Sequence, residues 1–304
     1  MKIFLCVIFL LSFISGAYAF EPVTVDTKIS DVINNPLLKK FGRYIFPLDT
    51  NYFSGETLGD FDLTWYSNIN PLRTVEIINY MLEHSGKGEK IFYSIYPEND
   101  ARSKYTGLFF FRGKPGAKFA ICNAGGGFVF VGAMHDSFPH ALEISKKGYN
   151  AFALIYRPGA QTACEGLARA IAFIHEHAQE LQVDTKNYSL WGGSAGARIA
   201  AWLGSYGTAY FGEKYYPRPA AVIMQYTGLS EVTGKEPPTY NCVGTNDVIA
   251  DYRIMQNRIN RIKNNGTDAK IEVFKNLPHG FGLGEGTIAE GWLNRAVEFW
   301  EEHF

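Results

Sequence analysis

The residues Gly192-Gly193-Ser194-Ala195-Gly196 form a G-x-S-x-G between a β-rich run ending at Trp191 and a helical run of small residues beginning near Ala195. A hydroxyl nucleophile has to stand clear of a sheet on a tight strand-to-helix turn, and glycines two residues before and after it remove the side chains that would collide there. Ser194 would also sit at a helix N-terminus, where free N–H groups and the positive end of the dipole favour the negative charge that develops during acyl transfer. The chemistry suggested is nucleophilic attack by Ser194 on a carbonyl.

Such an attack leaves an oxyanion to be held and a proton to be taken. Asn123-Ala124-Gly125-Gly126-Gly127-Phe128 follows directly on a β-rich run ending at Cys122. Three successive glycines let a loop turn its amides inward and let a substrate carbonyl approach the backbone closely. The expected donors are the amides of Gly125, Gly126 and of Ala195, the residue after the nucleophile. Among the histidines, His279 alone lies in a glycine-flanked loop, PHGFG, between the last strand and the last helix. Asp247, in GTNDVIA, follows a β-rich run and lies between Ser194 and His279, so the chain order is nucleophile, acid, histidine. It would hold the imidazole in the correct tautomer and stabilise the imidazolium formed when Ser194 gives up its proton.

Competing residues fit less well. Asp251 falls where the next helix should start and reads as its N-cap. Glu285 and Glu290 come after His279, the wrong order. His175 and His177, two apart in a helix, face different ways, match no metal-ligand spacing and read as a solvated helix end. His135 and His140 follow the glycine loop, where lining a pocket, packing and surface roles are all open. A dinucleotide loop starting at Gly125 would need glycine where Phe130 stands, and no Gly-Lys-Ser/Thr follows to make a phosphate loop. No metal or organic cofactor is expected.

These residues must be carried by a sheet. From residue 88 on, short β-rich runs alternate with longer helical ones, which argues for βαβ units and a parallel sheet. Eight strands are expected, at 90–96, 107–112, 118–122, 149–156, 188–191, 220–226, 239–244 and 270–274, with helices at 137–147, 164–181, 195–205, 251–264 and 287–302. Runs such as AFALIY and AAVIMQY are apolar without alternation, as strands covered by helices on both faces should be. The fold class expected is α/β. Residues 20–88 are mixed in character, with a helix at 71–84 and scattered aromatics, and form a segment that could partly cover a pocket belonging to residues 89–304.

The 304-residue chain opens with Lys2, an apolar run and the small-x-small sequence Ala17-Tyr18-Ala19, so a signal peptide over 1–19, cleavage after Ala19 and a secreted or periplasmic destination are expected. No later run approaches the roughly 20 apolar residues of a membrane span. A formal net charge of −1 without basic clusters offers nothing to a nucleic-acid backbone, which points to small, neutral partners. The mature chain would keep Cys122, Cys164 and Cys242, an odd number; Cys122 and Cys242 sit in strand-like runs, and no essential disulfide is expected.

Together NAGGGF, GGSAG, GTND and PHGFG resemble the α/β-hydrolase serine esterases, in particular the lipase/esterase group with an HGGG-type loop and the bacterial acetyl and feruloyl esterases acting on plant polysaccharides. The resemblance covers roughly residues 88–304. It implies an eight-stranded, mostly parallel sheet, Ser194, Asp247 and His279 as catalytic triad, an oxyanion hole from Gly125, Gly126 and Ala195, and short-chain acyl esters, including acetyl or feruloyl esters of carbohydrates, as substrates. Two departures stand out. Ala124 replaces the histidine usual before the glycines, which removes a support of that loop, and only nine residues, 229–237, precede the strand at 239, too few for an inserted lid. The five aromatics Tyr206, Tyr210, Phe211, Tyr215 and Tyr216, after the nucleophile helix, could reach the pocket or pack. A prolyl-oligopeptidase-type peptidase shares the triad order but needs a propeller that residues 20–88 cannot supply, and a non-catalytic binding protein would normally lack one triad member.

Overall fold

The computed structural model describes residues 21–67 and 69–304; the expected signal peptide lies outside them. The N-terminal segment contributes helix α1 (Ile29–Ile33), the antiparallel pair β1 (Phe53–Ser54) and β2 (Asp62–Leu63), and helix α2 (Pro71–Gly86). Asn70 caps α2 by accepting from the amides of Leu72 and Arg73, and Pro71 needs no such partner at the first helical position. The segment packs into the same apolar core as the rest: Phe41 and Tyr44 stack on Phe92, and Phe41 meets Phe109 edge-on.

The remainder alternates as expected. Strands β3 (Phe92–Tyr93), β4 (Gly107–Phe111), β5 (Lys118–Asn123), β6 (Asn150–Ile155), β7 (Asp184–Gly193), β8 (Ala221–Gln225), β9 (Thr239–Gly244) and β10 (Ala269–Phe274) form one eight-stranded sheet. Its order is β10-β9-β8-β7-β5-β6-β4-β3. Pairing is parallel throughout except where β4 meets β6 and β3. β4, β6, β8 and β9 are buried along their whole length, because helices cover both faces. Those helices are α3 (Ala133–Asp136), α4 (Phe138–Lys146), α5 (Ala160–Glu176), α6 (Ala178–Leu181), α7 (Ala195–Tyr206), α8 (Tyr252–Asn264) and α9 (Trp292–Glu301).

Several boundaries differ from expectation: the helix expected at 164–181 starts at Ala160 and is interrupted at His177, and the strand expected at 188–191 runs from Asp184 to Gly193. The first sheet strand shrinks to two residues at the edge. The helix expected at 137–147 is preceded by an extra turn, α3, and Ser137 breaks the two apart with φ −139°. The final helix starts at Trp292 rather than at 287, since Gly291 takes the left-handed conformation (φ 82°) and turns occupy the residues before it.

The topology fixes where a site can form. From β5 the chain crosses to β6 on one side, and β7 then pairs with the opposite edge of β5. Loops leaving the carboxyl ends of β5 and β7 therefore diverge around a crevice, the usual ligand position in an open α/β sheet. Asn123 lies beside Gly192 in that register, so the glycine loop and Ser194 leave the sheet side by side.

Candidate active site

Ser194 occupies the turn between β7 and α7 with φ 51° and ψ −115°, a strained conformation for a residue with a side chain. Space there is minimal: a Cβ on Gly196 would overlap the Asn123 carbonyl and one on Gly192 would overlap the Gly196 carbonyl, so both flanking glycines are required by the elbow itself. The Ser194 amide donates to the Gln225 carbonyl at 3.0 Å, tying the elbow to β8.

β9 ends at Gly244 and β10 at Phe274, and the loops that follow them bring two more side chains to the same edge. His279 Nε2 lies 3.1 Å from Ser194 Oγ, and its Nδ1 lies 2.7 Å from Asp247 Oδ2. With Nδ1–H donating to the carboxylate, Nε2 is left to accept the serine proton. The carboxylate is fully satisfied, because its Oδ1 accepts from the amides of Ile249 (2.9 Å) and Ala250 (2.7 Å). The histidine loop is held at its backbone: Ser67 Oγ donates to the His279 carbonyl at 3.2 Å, and His135 Nε2 donates to the Gly280 carbonyl at 2.9 Å.

The glycine loop is arranged differently from expectation at one point. The Gly125 amide donates to Asp136 Oδ2 at 2.7 Å, so it is committed and does not face the crevice. Among the described residues no hydrogen bond uses the amides of Gly126, Gly127 or Ala195. Gly126 and Gly127, not Gly125, line the cavity beside Ser194. Three amides without a partner thus remain near Ser194, and the first glycine serves to anchor the loop.

Asp136 is the residue that sequence reasoning missed. It is buried and accepts from Gly125, from Tyr66 Oη (3.1 Å) and from Tyr226 Oη. The Tyr226 ring lies edge-on to His279 at 5.0 Å, and a Cβ on Gly193 would collide with the Asp136 carboxylate. Burial, then the neighbouring Asp136 charge, pushes both phenols well above their ordinary range, so they remain donors. One carboxylate therefore braces the glycine loop, the turn that carries Ser194 and the ring packed on His279, and takes over the support that Ala124 cannot give. Asp136→Ala would strand three donors away from water at about 1–3 kcal/mol each. The expected result is a lower urea midpoint and kcat reduced about 100-fold with little change in KM. Asp136→Asn, which still accepts from Gly125, should recover most of kcat; equal losses in steady-state assays of the two variants would refute the bracing role.

The remaining residues separate cleanly. Asp251 caps α8, accepting from the Arg253 amide at 2.9 Å. Glu285 pairs with Arg73 and Asn70. His135 and His140 are buried and do not line the Ser194 cavity, and burial lowers both imidazoles, His140 to about 4, so they pack as neutral rings. His177 pairs with Glu180, but His175 corrects the expected solvated helix end: it packs against Phe119, Tyr188 and Tyr216. The aromatics Tyr206, Tyr210, Phe211, Tyr215 and Tyr216 begin at the far end of α7 and do not line the cavity. At 1.5 Å per residue that helix places Tyr206 about 18 Å from Ser194. Cys122, Cys164 and Cys242 are all free and buried. Among the described residues, no group of three or more His, Cys, Asp or Glu is placed to hold a metal, and no helix is long and apolar enough to cross a membrane.

The cavity over Ser194 has a volume of about 310 Å³ and is walled by Trp65, Tyr66, Gly126, Gly127 and Ile249 around Ser194 and His279. Two walls come from the N-terminal segment, and none of these residues carries a full charge when His279 is neutral.

A family model described as BD-FAE matches residues 112–252, a stretch that holds the glycine loop, Ser194 and Asp247 and stops short of His279. No curated protein matches the sequence. Among solved structures, an esterase of the planctomycete Thermogutta terrifontis, bound to propionate, is 21% identical with a TM-score of 0.61, covering 69% of this chain and 93% of its own. An acetyl ester-xyloside bifunctional hydrolase from Caldicellulosiruptor lactoaceticus is 18% identical with a TM-score of 0.61, over 69% of this chain and 95% of its own. An α/β-hydrolase enzyme, MGS-M1, from a Medee basin deep-sea metagenome library is 18% identical with a TM-score of 0.59, over 69% and 96%.

Proposed function

Proceeding from an α/β-hydrolase fold that resembles bacterial esterases, we propose that this chain is a serine ester hydrolase acting on short-chain acyl esters, including acetyl or feruloyl esters of carbohydrates, and that it works outside the cytoplasm. The observation that carries the reading is the continuous chain from Ser194 Oγ to His279 Nε2 at 3.1 Å and from His279 Nδ1 to Asp247 at 2.7 Å. Ser194 Oγ attacks the ester carbonyl as His279 takes its proton. The carbonyl oxygen becomes an oxyanion held by the amides of Gly126, Gly127 and Ala195. Collapse expels the alcohol, protonated by His279, and leaves an acyl group on Ser194. Water, deprotonated by the same imidazole, then releases the acid. The uncharged walls support a neutral ester, the cavity volume of about 310 Å³ supports a small acyl group, and the xyloside activity named for one neighbour supports a carbohydrate ester.

A fluorophosphonate probe tests the chemistry directly. The purified chain should be labelled at Ser194, and a panel of p-nitrophenyl acetate, butyrate and decanoate beside acetylated xylan and dipeptide anilides should show turnover of the short esters alone. Absence of labelling, or faster cleavage of the anilides, would overturn the reading.

A further inference from the structure

We infer that Trp65 determines the specificity of this site by stacking on a flat, uncharged ring in the ester, an inference that rests on the site being an ester hydrolase. Three independent observations converge on that side chain. Trp65 is a cavity wall facing the same space as Ser194 and His279, yet it is 50% exposed, an unusual state for the largest apolar side chain beside a reacting centre. Its backbone takes φ 70°, a conformation that a bulky L-residue occupies only when its surroundings impose it, and such strain gathers where a side chain has to be aimed. The surroundings that impose it are aromatic. The indole leans on Phe130 at 5.7 Å and Tyr52 at 6.3 Å, and its Cζ3 stands 2.9 Å from where a Cβ on Gly127 would be, so the ring is set against the oxyanion loop rather than free to swing.

Ile249, also exposed, lies in the same lining, and no charged side chain lines the space between them. An indole held in place with part of its surface bare, next to the position of a scissile carbonyl, will take a planar aryl group or the apolar face of a pyranose, and neither needs an ionic partner. The backbone amides hold the carbonyl whatever the rest of the molecule is, so discrimination between esters falls to this wall.

The test compares phenyl acetate and acetylated xylotriose, each against ethyl acetate, so that the acyl group is constant and only the alcohol changes. Trp65→Leu keeps apolar bulk without a ring, and Trp65→Phe keeps a ring. In Trp65→Leu the ratio of kcat/KM for the ring-bearing acetate over ethyl acetate should fall about tenfold, mostly through KM, with Trp65→Phe recovering the greater part. A fall for the phenyl ester alone assigns the ring as aryl, a fall for the sugar ester alone as a pyranose, and both ratios falling assigns any flat neutral ring. Unchanged ratios for both, or equal loss in Trp65→Leu and Trp65→Phe, overturn the proposal. As a measurement that does not depend on turnover, acetylated xylotriose or phenyl acetate added to Ser194→Ala should quench tryptophan emission, and the added change Trp65→Phe should remove that quench; quenching that persists also overturns it. Ester turnover undiminished in Ser194→Ala would overturn the hydrolase reading alone, which keeps the two failures apart.

Discussion

Ser194→Ala loses turnover of p-nitrophenyl acetate by roughly 10⁴- to 10⁶-fold in kcat, the range expected when one member of a triad that works as a unit is removed. What persists comes from the amides of Gly126, Gly127 and Ala195 and from substrate binding. The variant should stay folded. Alanine inherits the same φ of 51° with the same Cβ, and the hydroxyl it loses makes its one side-chain hydrogen bond to His279. Loss of a single hydrogen bond of this kind costs about 1 kcal/mol, too little to unfold a domain of this size. Circular dichroism melts of both proteins beside steady-state rates check the two halves of the prediction, and a variant retaining a tenth of wild-type kcat would remove Ser194 from the mechanism.

Asp247→Asn lowers kcat about 10⁴-fold with KM nearly unchanged, for a reason built into the loop. Asp247 Oδ1 is pinned by the amides of Ile249 and Ala250, both donors. In the asparagine variant the carbonyl oxygen has to keep that position, and the NH₂ is forced toward His279. A donor there demands an unprotonated Nδ1, which moves the imidazole proton to Nε2 and turns it against the Ser194 hydroxyl. The base becomes a donor at the position where it has to accept. Asp251→Asn, four residues on, serves as the control, since Asp251 caps α8 at the surface and touches no part of the site. Steady-state kinetics on the pair, with Asp251→Asn as active as wild type, checks the assignment; similar activity in both variants would refute it.

The meeting of Ser194, Asp247 and His279 was legible because each carries its own local signature: the elbow glycines around Ser194, the position of Asp247 after a strand, and the glycine-flanked His279. The sheet was legible because β4, β6, β8 and β9 bury both faces, which leaves runs without polar interruption. Asp136 had no such signature. Its partners Tyr66, Gly125 and Tyr226 come from three separate parts of the chain, and a buried carboxylate on a one-turn helix looks like any solvated acid until those parts are folded together. The committed Gly125 amide was hidden for a related reason: three glycines announce a loop that can turn its amides inward, but not which N–H another residue has taken. Trp65 lies in a stretch without periodicity, so neither its strained backbone nor its place in the cavity wall could be foreseen. His175 misled because its helix position suggested solvent while Phe119, Tyr188 and Tyr216 close over it.

The hydrogen bond from Ser67 to the His279 carbonyl joins positions 212 residues apart, and that from His135 to Gly280 spans 145. Closing loops of such length costs chain entropy that local contacts do not. On the proposed mechanism, a chain in which these distant segments had not yet met would carry Ser194 without a seated base, and reactivity would await their meeting.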